Sequence, residues 1–404
     1  MKEKRRGREA DAFRDLRATG VRASGFRSCA GSLDRQVPTD PLGCGAVALR
    51  MPVVWSDAHR SHEPGGETWI GLPAEGDELP ARADVIRRAL EEVGAHVVDA
   101  RPHDDGALLA VHDPALVDFL RNAWASWTGA GYPDDPGQNR VVGYIFPHPG
   151  LLHGVTPLEP KSAAARTGLY AFDTMTTVGP GTWGAARGAV DAALTAADLV
   201  HDGAPAAYAC TRPPGHHVTR SAYGGSCYLN NAAVAAEHFR QSGYGHVALV
   251  DVDAHHGNGA QEIFWERGDV LTCSVHVDPE AGWFPHFLGT ALERGSGEGA
   301  GRNLNLPLAP GTGDEGWLDA VGQAVAAVRE AAVDAVVVAL GVDAALTDPN
   351  SPLDVTEAGY REAGRLLGGL DLPTVIVQEG GYDLATLGGL VRAALEGIEE
   401  RSGG

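Results

Sequence analysis

The stretch His246-Val247-Ala248-Leu249-Val250-Asp251-Val252-Asp253-Ala254-His255-His256-Gly257-Asn258-Gly259 decides the fold. Its first half is a short continuous apolar run, and its second half is dense in carboxylate and imidazole. A short run of this kind, bounded by polar residues, reads as a buried strand of a parallel sheet. Alternate residues of a strand share a face, so Asp251, Asp253 and His255 project together. Two carboxylates and an imidazole on one face are costly without a cation, and these are ligand types that suit zinc. Alone, the stretch also reads as a structural Asp–His hydrogen-bond network.

Similar runs recur along the chain. Ala206–Cys210 is followed by Arg212-Pro213-Pro214-Gly215-His216-His217. Ala335–Leu340 is followed by Gly341-Val342-Asp343, and Thr374–Val377 by Gln378-Glu379-Gly380-Gly381-Tyr382. Met51-Pro52-Val53-Val54-Trp55 and Val270–Val275 are further strand candidates. Helical spacing separates them at Arg82–Val93, Thr182–Val200 and Asn231–Gln241, the first and last stopped by Gly94 and Gly243. The pattern predicts an α/β fold, a central parallel β-sheet with helices on both faces. In such sheets ligands bind beyond the carboxyl ends of the strands, so four polar strand ends point to one site. Singly, Asp343 reads equally as a helix cap, His216-His217 as an unspecific pair, and Gly380-Gly381-Tyr382 as a turn.

Composition sets bounds. The 404 residues are 44% hydrophobic and 21% charged, ordinary for a globular chain able to bury a large core. The five cysteines, Cys29, Cys44, Cys210, Cys227 and Cys273, are odd in number and lack C-x-x-C spacing. They argue against a disulfide framework or a cysteine zinc site. No apolar run is long enough to span a membrane, and no apolar stretch follows the basic N-terminus as a signal peptide needs. A cytoplasmic setting with no membrane partner is expected.

The net charge of −21 is unevenly spread: residues 1–50 hold eleven Lys/Arg against six acids, so the rest carries −26. An acidic body repels nucleic acid and leans toward cationic substrates. Residues 1–50 lack a sustained period and are expected to be a disordered basic extension, with Met51 opening a single catalytic domain over 51–404. Residues 128–166 are rich in Gly and Pro without clear period, and are expected to act as a lid or subunit contact.

The set His216-His217, Asp251-x-Asp253-x-His255-His256-Gly257-Asn258-Gly259, Asp343 before Asp348-Pro349, and Gly380-Gly381-Tyr382 resembles the histone deacetylase and acetylpolyamine amidohydrolase superfamily. The likeness runs from Met51 onward. Arg212-Pro-Pro-Gly-His-His and Phe284-Pro-His-Phe-Leu-Gly289 look closest to its bacterial acetylpolyamine and class II-like branch. The resemblance implies the arginase-deacetylase-like fold and a zinc-dependent amidohydrolase, a deacetylase of small acylated amines such as acetylpolyamines. It implies Asp253, His255 and Asp343 as ligands of zinc, with iron(II) the other candidate metal. His216 and His217 would handle protons, His217 as general base. Asp251 would orient His216, Asn258 would stand by His217, and Tyr382 would donate to the oxyanion. A potassium ion held by side-chain or carbonyl oxygens of Asp251, Asp253, His255 and Ser274 is also implied. Many relatives line the substrate tunnel with two aromatics. Phe284 matches one, but Gly225-Ser226-Cys227 stands where the other is common, and Asn350 is polar where relatives are often apolar. One wall should therefore be more open. The 128–166 segment resembles an insertion that helps form a homodimer, with Glu159 in the region where relatives place mouth acids.

Other readings are an acetyl-lysine (histone-type) protein deacetylase, a binuclear manganese ureohydrolase, and a non-catalytic metal-containing binder of acylated amines. The ureohydrolases need a second Asp two residues beyond the late one. Here Asp343 is followed by Ala344-Ala345.

Overall fold

The computed structural model describes residues 49–401. Eight strands form one parallel sheet: β1 (Val53–Trp55), β4 (Val97–Asp99), β5 (Ala206–Ala209), β6 (Val247–Asp251), β7 (Val270–Val277), β8 (Asn303–Leu308), β9 (Ala335–Leu340) and β10 (Thr374–Gln378). Their spatial order is β4-β1-β5-β10-β9-β6-β7-β8. A separate antiparallel pair joins β2 (Glu67–Trp69) to β3 (Leu72–Ala74).

The period of two along the strands divides the core into two halves. Ala207, Ala209, Leu249, Val337, Ala339, Val375 and Val377 face one side. There they pack on the helices Pro114–Gly129, Thr182–His201 and Asn231–Gln241. Ala206, Tyr208, Ala248, Val250, Val336, Val338 and Ile376 face the other. Their partners are the helices Ala81–Glu91, Asp314–Ala331, Glu357–Gly368 and Leu387–Arg401. The central strands are buried on both faces, which is why they read as unbroken apolar runs. Each fully buried Val or Leu contributes about 1.5–3 kcal/mol. Thr182–His201 buries seven alanines, whose small side chains let the helix lie close to its neighbours.

Capping follows the sequence. The Asp113 carboxylate accepts from Ala115 N with Pro114 in the first turn, the Asn230 side chain accepts from Ala233 N, and Thr356 accepts from Gly359 N. The expected strands and helices appear at their places within a few residues. The expected limits of two segments shift. Leu49 is buried, and Arg50 N donates to Glu399 Oε2 (3.0 Å), so these two residues belong to the folded body. The remainder of the expected basic extension, residues 1–48, lies outside the described residues. Within 128–166, Thr128 and Gly129 finish one helix and Ala163 begins another, Ala163–Tyr170. Among the described residues no helix is long and apolar enough to cross a membrane.

Candidate active site

The four strands that carry chemistry, β5, β10, β9 and β6, are adjacent in the sheet. Their carboxyl ends therefore bring Asp251, Asp343, Tyr382 and the His216-His217 turn to one place, as strand-end logic requires.

Asp253, His255 and Asp343 bring donor atoms within 4.8 Å of one another. His255 Nδ1 lies 3.1 Å from Asp253 Oδ1 and 2.9 Å from Asp343 Oδ2. Each carboxylate keeps a second oxygen on the backbone: Gly380 N donates to Asp253 Oδ2 and Ala254 N to Asp343 Oδ1, both at 2.8 Å. Both carboxylates are fully buried. Burial disfavours a charged His255, yet the two carboxylates outweigh it and push its imidazole up to about 10. The group thus demands a positive charge, and two carboxylates with one imidazole form a three-ligand set suited to a catalytic divalent metal. Glycine is required beside it: a Cβ on Gly380 would sit 2.5 Å from both Asp253 Oδ2 and Asp343 Oδ2, and one on Gly341 2.1 Å from Asp253 Oδ2.

His216 and His217 lie side by side, ring centroids 3.9 Å apart, in opposite electrostatic settings. His216 Nδ1 bonds Asp251 Oδ2 at 2.9 Å. Burial works against its charge, but Asp253 and Asp251 hold its imidazole well above the usual range. His217 is driven well below that range by burial, then by the nearby His216 and His255. Asn258 Oδ1 accepts from His217 Nδ1 at 2.7 Å, and Asn258 Nδ2 donates to His217 O at 3.0 Å, which fixes the amide's orientation. An amide oxygen can only accept, so Nδ1 carries the proton and Nε2 keeps a free lone pair.

Tyr382 is set by its backbone and its ring. Its N–H donates to Asp348 Oδ2 at 2.6 Å, and the Arg82 guanidinium lies 4.6 Å from its ring centroid. Arg82 also donates to Gly381 O (2.5 Å) and Glu379 O (2.6 Å), gripping the loop on either side of Gly380. The same Arg82 meets Glu78, which pairs with Arg212 at 2.7 Å. Glu379 is buried, and its Oε2 accepts from Gly215 N (2.6 Å) and His216 N (3.1 Å). Burial pushes its carboxyl up to about 8. Sequence reasoning missed Glu78, Arg82 and Glu379 as parts of the site. Glu379's place directly before Gly380-Gly381-Tyr382 was a usable signal, whereas nothing marked Arg82 on its helix as inward-facing.

The expected tunnel residues divide. Phe284 stands edge-on to His217, centroids 4.9 Å apart, and 6.3 Å from His255. Gly225 N donates to Asp173 Oδ2 (2.6 Å) and Ser226 N to Thr176 Oγ1 (2.8 Å), both residues holding positive φ. A Cβ on Gly225 would meet His217 Cδ2 at 2.3 Å, so the turn can pass this closely only as glycine. Asn350 is half-buried and its N–H donates to Asp348 Oδ1, so it adjoins the residue that holds Tyr382. Of the four residues named for potassium, two place their side chains at one cavity. Asp251 and Ser274 line a cavity of about 10 Å³, and Ser274 Oγ is engaged by His276 Nδ1 and Gly257 N. The Asp253 and His255 side chains instead meet Asp343. Glu159 is paired with Arg166 and accepts from the Tyr170 hydroxyl at 3.4 Å.

Residues 77–398 match the histone deacetylase domain. The chain is 40% identical over 350 residues to acetylpolyamine amidohydrolase 1 of Pseudomonas aeruginosa, covering 86% of this chain and 99% of that one. It is 38% identical to the acetylpolyamine amidohydrolase of Mycoplana ramosa, with the same coverage of both. The crystal structure of acetylpolyamine aminohydrolase from Burkholderia pseudomallei superposes with a TM-score of 0.81 at 38% identity, covering 87% of this chain and 99% of that one. With this coverage and identity, the chain belongs to the histone deacetylase domain family of hydrolytic deacetylases.

Proposed function

We propose that this deacetylase-family hydrolase cleaves the acyl amide of a small acylated amine such as an acetylpolyamine, with zinc as its metal. The carrying observation is the pairing of two adjacent buried imidazoles in opposite electrostatic settings beside the Asp253–His255–Asp343 group. Of two imidazoles so arranged, the neutral one can take and return a proton while the charged one stabilises developing negative charge.

When bound by Asp253, His255 and Asp343, zinc would polarise the amide carbonyl and acidify a water. The chain's own groups do the rest. His217 Nε2 takes the proton from the attacking water as its oxygen bonds to the carbonyl carbon. His216, held as imidazolium by Asp251, adds positive charge beside the oxygen that gains electrons. The Tyr382 hydroxyl donates to that same oxygen. When the carbon–nitrogen bond breaks, His217 returns its proton to the leaving amine. The remaining hydroxyl proton passes to the freed amine, so the products are a carboxylate and an ammonium.

The names of the relatives support the small amine as substrate, and the acidic body supports a cationic one. A homodimer is supported by the exposure of Tyr144, Ile145, Leu151, Val155 and Leu158, large side chains within residues 128–166, the stretch that resembles a dimer-forming insertion. The deciding experiment is a kcat/KM ranking of N-acetylputrescine, longer acetylpolyamines and an acetyl-lysine peptide, with and without chelator and with zinc or iron(II) restored. The expected result is chelator-sensitive turnover, highest for the acetylpolyamines. Turnover unaffected by chelator, or a preference for the peptide, would overturn the proposal.

A further inference from the structure

The aromatic expected opposite Phe284 is absent at Ser226, and another segment supplies a ring. Phe172 follows the helix Ala163–Tyr170, fifty-four residues before Ser226. Its ring lies 6.2 Å from that of Phe284, centroid to centroid, with 27° between the planes. Phe284 in turn stands edge-on to His217 at 4.9 Å. Phe172 is thus one ring further from the catalytic imidazole, and it is 38% exposed.

This placement is built into the local structure. Phe172 N donates to Tyr223 O (3.0 Å), and Tyr223 N to Tyr170 O (2.8 Å), stitching the two segments together. The neighbouring Asp173 carboxylate accepts from Gly225 N, Met175 N and Thr176 N, which ties the Ser226 turn to Phe172's own segment. Gly224 leaves the space for the ring: a Cβ there would lie 2.4 Å from Phe172 Cε2 and 2.5 Å from Cζ. Any side chain at 224 would compete for the same volume, so the glycine at 224 and the ring at 172 form one arrangement.

We infer that Phe172 is the second aromatic wall of the substrate path and a specificity-determining residue for the chain beyond the scissile amide. This rests on the small acylated amine as substrate. A spacing of 6.2 Å is contact distance for two rings and leaves no room for methylenes between their faces. The alkyl chain therefore crosses the edge of Phe284 and runs onto Phe172, open to solvent on the Ser226 side. A terminal ammonium arriving there gains a cation–π attraction, which acts within about 6 Å of a ring centroid. Flexible alkyl-ammonium substrates fit such a one-sided wall.

The test measures Phe172→Ala and Phe172→Tyr on N-acetylputrescine and on N-butylacetamide, which has the same chain without the ammonium. For Phe172→Ala, the KM for N-acetylputrescine should rise roughly tenfold, about 1.4 kcal/mol, with kcat within about twofold. The rise for N-butylacetamide should be smaller. Phe172→Tyr should restore the wild-type KM. An unchanged KM in the alanine variant overturns the inference. So does an equal loss on both substrates, or a fall in kcat alone. Should the alanine variant melt early, Phe172→Leu replaces it, with the same expected rise for N-acetylputrescine. Wild-type turnover of N-acetylputrescine tests the proposed function, whereas the variant-to-wild-type ratio tests Phe172, so the two can fail separately.

Discussion

Replacing Asn258 by Asp puts a carboxylate where an amide oxygen now accepts from His217 Nδ1 at 2.7 Å. Both residues are buried, 6% and 3% exposed. Two unit charges about 4 Å apart attract by about 4 kcal/mol at an effective dielectric of about 20. Desolvating the new carboxylate removes a large part of that gain. A net of about 2 kcal/mol remains, which is about 1.5 pKa units. The sign is fixed by what the reaction needs. His217 must be unprotonated to accept a proton, and in the wild type burial together with His216 and His255 already keeps its pKa low. The acid limb of kcat/KM due to His217 therefore lies well below neutral. In Asn258→Asp the folded-state pKa rises, so the limb moves upward by about 1.5 units. Activity at mildly acidic pH falls and returns as the pH is raised. The assay is kcat/KM for N-acetylputrescine across pH with metal kept saturating, alongside Asn258→Ala, which removes the bond without adding charge. A limb that stays in place or moves down in Asn258→Asp would refute His217 as the base. An equal shift in the alanine variant would trace the effect to lost orientation rather than charge.

Tyr382→Phe should lower kcat by about 10²–10³, the usual loss for one oxyanion donor, with KM and bound metal per chain unchanged by elemental analysis. Gly380→Ala should empty the metal group, because its Cβ would lie 2.5 Å from an oxygen of both Asp253 and Asp343; metal content after dialysis reads this directly, and full occupancy would contradict it. Arg82→Lys keeps the charge but cannot hold two carbonyls and cover the Tyr382 ring at once. Stability should fall by about 2–4 kcal/mol, as expected for losing charge-assisted bonds, visible in thermal melts, and kcat should fall with it.

The central sheet was readable because its strands are buried on both sides. Ala335–Leu340 and Asn231–Gln241 appear with the bounds their pattern predicts. The edges were not readable in the same way. Val97–Asp99 is a three-residue strand, half-buried at Val97 and Val98 and exposed at Asp99, and Asn303–Leu308 alternates Asn303, Asn305 and Pro307 with its leucines, without the continuous apolar signature. The Asp253–His255–Asp343 cluster was legible in part, since its residues follow strand ends, while the assignment of all three as metal ligands came from resemblance. The pairing of His216 with Asp251 and of His217 with Asn258 came from resemblance and is matched by direct bonds. Phe172 was illegible, because its contact with Phe284 spans more than a hundred residues and no local pattern connects them. A missing aromatic at 226 says that a wall is open, but not which distant segment fills the space.

The same limit applies to the charges beneath Tyr382. Glu78, Arg82 and Arg212 are nearly fully buried, and one carboxylate pairs with both guanidiniums. A buried ion group is weak support for stability, since desolvation offsets most of the attraction. Its geometry gives it another role here. Arg82 reaches the carbonyls of Glu379 and Gly381, Arg212 begins the turn that carries His216, and Glu78 joins the two. Glu379 closes the circuit by accepting from Gly215 N and His216 N. The Tyr382 loop and the histidine turn are thereby held in fixed register, although they leave different strands. That register is what the proposed mechanism needs, because in it His217 and Tyr382 meet the nitrogen and oxygen of one amide, and a displacement of about 1 Å can cost about 10²-fold in rate. An apolar replacement for the trio could fill the volume and keep the fold, but it would supply no donors to those carbonyls. On the proposed mechanism, the buried charge here serves positioning more than stability.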